Sequence, residues 1–166
     1  MKREQGFTLI ELMITIIILS VLLGLAIPGF SRWLPNYRLR GAARDLYSNL
    51  QLAKSGTIKD RANWAVEFPG GNIYRLVSGG VVHKTVSLPD YGSGVSFGPG
   101  SSTPPAVANA VTADSANPIV FNSRGFTTNN APVFAYMTNN RNTSYAVGTL
   151  VSGAVVLKKW NGTAWQ

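Results

Sequence analysis

The side chain with most to explain is Glu11, the single charged residue between Phe7 and Ile27 in the run FTLIELMITIIILSVLLGLAI. A carboxylate in an otherwise apolar helix is costly and marks a functional position by default. Phe7 precedes it by about one helical turn, on the same face. A cut between Gly6 and Phe7 would free an α-amine that Glu11 could neutralise. Within one helix that pair is geometrically loose, so the amine of a neighbouring copy is the better partner. A second cluster lies near the other end of the chain. Lys158-Lys159-Trp160 places two cations beside an aromatic ring at the end of a strand, with Arg141 and Arg124 as further cations. Phosphate neutralisation plus a stacking ring is a workable nucleic-acid contact. Adjacent strand residues point to opposite faces, so only one of the two lysines need meet the same partner.

Catalytic chemistry is missing. His83, the sole histidine, sits in an apparent strand among Val81, Val82 and Val86, where a structural role is expected. There is no cysteine, hence no thiol nucleophile, disulfide or thiolate metal site. No GxSxG, HExxH or P-loop pattern occurs, and Gly98-Pro99-Gly100-Ser101 does not match a phosphate cradle. The carboxylates are Glu4, Glu11, Asp45, Asp60, Glu67, Asp90 and Asp114, with none further along the chain. Calcium sites need several oxygen ligands, usually including carboxylates, so no metal is expected in the C-terminal region. The sequence thus predicts a non-enzymatic protein without cofactor or metal. Its net charge of +8 suits nucleic acid, anionic lipid or an acidic partner, or plain solubilisation.

As a helix, Phe7–Ile27 would measure roughly 31 Å, enough to cross a bilayer core. It is not built as a secretory signal peptide: the small residue Gly6 precedes the apolar run, and no A-x-A-like site follows it. Cations flank the run on both sides, with Lys2 and Arg3 before it and Arg32, Arg38, Arg40 and Arg44 after it, so charge alone does not orient it.

Gly6-Phe7-Thr8-Leu9-Ile10-Glu11-Leu12, behind a short basic head, resembles the cleavage and methylation motif of type IV pilins and type II secretion pseudopilins. Pro28 falls where many members break their long first helix. The resemblance implies cleavage after Gly6 by a prepilin peptidase, N-methylation of Phe7, and polymerisation through the helix, with Glu11 setting register against an adjacent Phe7 amine. It also implies a single-pass protein of the bacterial inner membrane, with a cytoplasmic N-terminus and a periplasmic head that can be drawn into a filament.

Beyond the span, Pro28-Gly29 and Pro35 predict a kink and a weak helical stretch over 28–36. Leu39, Ala43, Leu46, Leu50 and Ala53 then form an apolar stripe. Arg40, Arg44, Asn49 and Gln51 are assigned to the remaining positions, and Gly56 with Lys59-Asp60-Arg61 to the helix stop. The stripe predicts a face packed on a globular head. Short β-like runs follow at 64–68, 73–77, 81–88, 119–121, 132–137, 144–150 and 154–160. Hairpin turns are expected at Ser78-Gly79-Gly80 and Ser152-Gly153. Residues 98–118, rich in Pro, Gly, Ser and Ala, read as a long surface loop.

The expected fold is α+β: a long N-terminal helix packed on a mostly antiparallel β-sheet head. Its parts are a leader over 1–6, an assembly helix over 7–27, a helix continuation over 28–62 and a head over 63–166. The run Phe121-Asn122-Ser123-Arg124-Gly125-Phe126, with the strands after it, resembles the GspH/FimT subgroup of minor pseudopilins and pilins. Expected partners are therefore a prepilin peptidase, other pilin or pseudopilin subunits, the membrane, and either secretion machinery or DNA.

Overall fold

The computed structural model describes residues 6–99 and 106–166, with the side chains of all of these but 26–29 and 32. The expected leader residues before Gly6 lie outside the described residues. The chain divides into two compact units, Met1–Leu34 and Pro35–Gln166.

Helix α1 spans Leu9–Asp60. Its start follows from Thr8, whose Oγ1 accepts the Glu11 N–H at 3.3 Å while its carbonyl accepts the Leu12 N–H. Thr8 and Glu11 thus stand in the S/T-x-x-E spacing of a capping box, with an acid in the first turn where the helix dipole favours it. The helix runs through Pro28 and Pro35, and the boundary between the units falls at Leu34–Pro35. At the far end Arg61 takes a left-handed φ of 53° and stops the helix. Gly56, expected at the stop, is helical instead. A Cβ there would lie 2.7 Å from Trp64 Cε2, so the position is kept bare by the indole packed over it.

In the first unit the apolar side chains of Phe7, Leu9, Ile10 and Leu12–Leu25 are exposed. Among the described residues no helix is long and apolar enough to cross a membrane.

In the second unit, strands β1 (Trp64–Gly70), β2 (Ile73–Ser78), β3 (Val81–Ser87) and β6 (Ile119–Phe121) form an antiparallel sheet in the order β3-β2-β1-β6. A second sheet has the order β4-β7-β8-β9, from β4 (Ser96–Phe97), β7 (Val133–Thr138), β8 (Ser144–Thr149) and β9 (Val155–Lys159). The two-residue strand β5 (Val111–Thr112) pairs parallel to β7, against the antiparallel rule that holds elsewhere. Gly79 and Gly80 both take positive φ (57° and 81°), the requirement of a tight turn between β2 and β3.

One core joins the helix to both sheets. Leu39, Ala43, Leu46, Leu50 and Ala53 are fully buried, as their spacing predicts, against Val66, Tyr74, Leu76, Phe121, Val133, Met137 and Val147. Asn49, expected on the polar face, is buried as well. Its amide donates to Tyr74 Oη at 2.7 Å and to Asp45 Oδ2 at 2.9 Å, so burial leaves its polar atoms satisfied. Every residue of β7 and β8 is buried because the sheet is covered on both faces. The outer cover over Phe134, Tyr136 and Ala146 comes from Val107, Ala110, Val156 and Trp165. The stretch 98–118 is therefore more than a surface loop: its described part carries β5, and the Val107 N–H donates to Tyr136 Oη at 2.8 Å. The exposed His83 ring stacks on Trp64 at 4.6 Å.

Candidate functional site

Two regions hold the residues singled out in the sequence. In the first unit, Gly6 and Phe7 precede the capped start of α1, and Glu11 is exposed in its first turn among apolar side chains. That arrangement presents one carboxylate on an apolar surface, suited to a cationic group carried by another apolar helix. Pro28 lies within α1.

In the second unit, Lys159 pairs with Tyr145, and Lys158 with Ala146, across β9 and β8. The strand pleat therefore separates the two lysines, as expected. Lys159 shares the face of Leu157 and Tyr145, which meets the helix, while Lys158 shares the outer face with Val156. On the inner side Lys159 joins Arg40, Arg44, Tyr145 and Leu157 around a cleft of about 340 Å³. It also lines a wider depression of about 560 Å³ with Asn142, Thr143, Trp160, Asn161 and Gly162. Trp160 packs on Trp165 at 5.4 Å, and Trp165 on Tyr136 at 5.7 Å. The turn carrying Arg141, Asn142 and Thr143 is pinned to the helix. Asn36 Oδ1 accepts from Asn139 Nδ2 at 2.9 Å and from Thr143 Oγ1 at 2.8 Å.

Arg124 is not part of this cluster. It lies in the turn after β6, beside Gly125, whose carbonyl meets Gly153 in the turn between β8 and β9. Lys159 is at the opposite end of those strands. Sequence reasoning found Lys159 and Trp160 but missed Arg40 and Arg44, which read as ordinary solvated cations. Their spacing of one helical turn, next to the buried stripe, was the available signal.

A polar network on another face of α1 ties the helix to the first sheet. Asp45 Oδ2 accepts from Tyr74 Oη and Tyr91 Oη, each at 2.7 Å, and Lys84 Nζ lies 3.6 Å from Asp45 Oδ1. Lys84 also donates to Asn49 Oδ1 at 3.0 Å. Burial works against ionisation of Asp45, but the Tyr91 and Tyr74 hydroxyls, Lys84 and Asn49 together hold its carboxyl below the usual range. Burial and the bonds to Asp45 push both phenols up, so they stay protonated donors. Because the folded value is depressed, the stabilisation is present above the unfolded carboxyl value near 3.9 and is lost as pH falls through the folded one. Asp45→Asn is expected to cost about 2 kcal/mol near pH 7, with the deficit shrinking below about pH 4. Urea unfolding of wild type and variant across that range measures it; a pH-independent deficit would contradict the assignment.

Of the residues that meet at the clefts, Arg44, Asn142, Thr143 and Tyr145 fall inside one family match, as does the Asp45 network. Residues 42–154 match type II transport protein GspH, and residues 1–27 match the prokaryotic N-terminal methylation motif. The chain belongs to the GspH family. No curated protein and no solved structure matches it. The family match covers Arg44, the Asp45 network and Arg141 but stops short of Lys158, Lys159 and Trp160, so the family itself says nothing about the end of β9. For a GspH-family chain, the helix packed on an antiparallel head is thus what both sequence and structure give.

Proposed function

We propose that this chain is a structural subunit, a minor pilin or pseudopilin, of a type II secretion pseudopilus or type IV pilus. In this reading a prepilin peptidase cuts after Gly6 and N-methylates Phe7. The helix from Phe7 anchors the protein in the inner membrane with its head on the periplasmic side, then joins other pilin or pseudopilin subunits. The supporting observation is the exposed apolar run Phe7–Leu25 with Glu11 as its single carboxylate, directly after Gly6 within a methylation-motif match. A helix so apolar and so exposed needs lipid or neighbouring helices to cover it. The test is co-expression with a prepilin peptidase, followed by N-terminal sequencing. The expected product begins at N-methylated Phe7. Retention of residues 1–6 while a control prepilin is processed would overturn the reading.

A second reading is a nucleic-acid contact on the head, as in a pilus subunit serving DNA uptake. What favours it is the placement of Lys159 on two adjoining clefts, one ringed by arginines and one lined by Trp160. Its test is a salt-dependent shift of labelled DNA by the purified full chain.

A further inference from the structure

Arg40 and Arg44 stand one turn apart on α1, like charges that repel at that spacing. Lys159 adds a third cation from β9, and all three line the same cleft. All three are exposed. Among the described residues Lys84 and Asp45 form an ion pair, and it includes none of the three. The acid next to Arg44 in sequence, Asp45, is already engaged by Tyr74, Tyr91, Asn49 and Lys84. Among the described residues no carboxylate lines this cleft, and three cations gathered around one concavity raise the local potential for an anion. From Lys159 the surface continues into the depression of Asn142, Thr143, Trp160 and Asn161, where a half-buried indole lies. Cations for phosphate with a ring next to them are the parts of a single-strand binding groove.

We propose that Arg40, Arg44 and Lys159 form a phosphate seat for a single-stranded nucleic acid, whose adjoining base lies over Trp160 and Asn161. This rests on the second reading above and moves the electrostatic contact from the β9 lysine pair to the helix side of the sheet. Lys158 lies on the other face and takes no part. A duplex keeps its base faces stacked and so cannot use the ring.

The experiment is fluorescence anisotropy of a labelled oligothymidylate of about a dozen nucleotides, with the full chain in non-ionic detergent, over a salt series. Wild type is expected to bind with strongly salt-dependent affinity. R40Q/R44Q should bind about tenfold more weakly, its log–log salt slope reduced by about 1.4, since each single-strand phosphate contact contributes about 0.7. Adding K159Q should take away about 0.7 more of the slope. R40K/R44K, which keeps the charge, should stay within about threefold of wild type, and R124Q within about twofold, as expected of a phosphate seat. Unchanged circular dichroism of the variants separates loss of binding from loss of fold. If R40Q/R44Q binds like wild type while Lys158→Gln weakens binding, the phosphate seat is wrong and the second reading survives on the outer face. If wild type prefers a duplex of the same length, the single-strand assignment is overturned. If wild type shows no salt-sensitive binding to either, both readings fall together.

Discussion

Glu11→Ala is expected to insert into the membrane as wild type does and to enter filaments at least about tenfold less well. The magnitude separates two roles for this carboxylate. As the third residue of a capped helix it helps its own first turn, which is worth about 0.3–1 kcal/mol. That is at most a factor of about five. As the partner of a neighbour's Phe7 amine in an apolar filament interior, its removal would leave a buried cation unpaired, which costs about 3–5 kcal/mol. Crosslinking of assembled filaments, normalised to membrane-inserted protein, reads the difference. Incorporation within about fivefold of wild type would assign Glu11 to capping alone. Glu11→Gln sharpens the result, because it keeps the shape and a hydrogen-bonding group while removing the charge.

The second large effect is on stability. Gly148→Ala is expected to lower the melting temperature by roughly 10 °C, from a loss of about 3 kcal/mol. Its Cβ would fall 2.0 Å from the Val133 carbonyl oxygen and 2.6 Å from Phe134 Cα. Both are backbone atoms of β7, which is hydrogen-bonded to β8 along its length and covered on both faces. Neither atom can retreat without opening the ladder, unlike the end of a flexible side chain. Thermal unfolding followed by far-ultraviolet circular dichroism checks this, and a shift under about 2 °C would show that the strand yields.

What could be read from the sequence was what periodicity and local chemistry encode. The stripe Leu39, Ala43, Leu46, Leu50 and Ala53 came through because helical spacing and burial express the same constraint. The longer strands and the Gly79-Gly80 turn followed from β-branched runs and positive φ. Strands β4 and β5 did not, because two residues carry no period and owe their state to β7 beside them. Asn49 was assigned to the surface because its burial depends on Tyr74, a residue far along the chain. The cleft was half legible for the same reason. Lys159 and Trp160 stand together in sequence, but Arg40 and Arg44 join them only through the fold, which also sets Arg124 apart.

The attachment of the second half of α1 to the head has a mechanical meaning. Its leucine stripe is gripped by both sheets, while Asp45 and Asn49 are tied to Tyr74, Tyr91 and Lys84. A pull along the helix axis loads these contacts in parallel, as shear, so none can be opened first and the rest peeled after it. Slippage of the head then requires the whole interface to fail at once, a process governed by its unfolding rate rather than by any single bond. A subunit made this way is suited to passing tension from helix to head without losing the head.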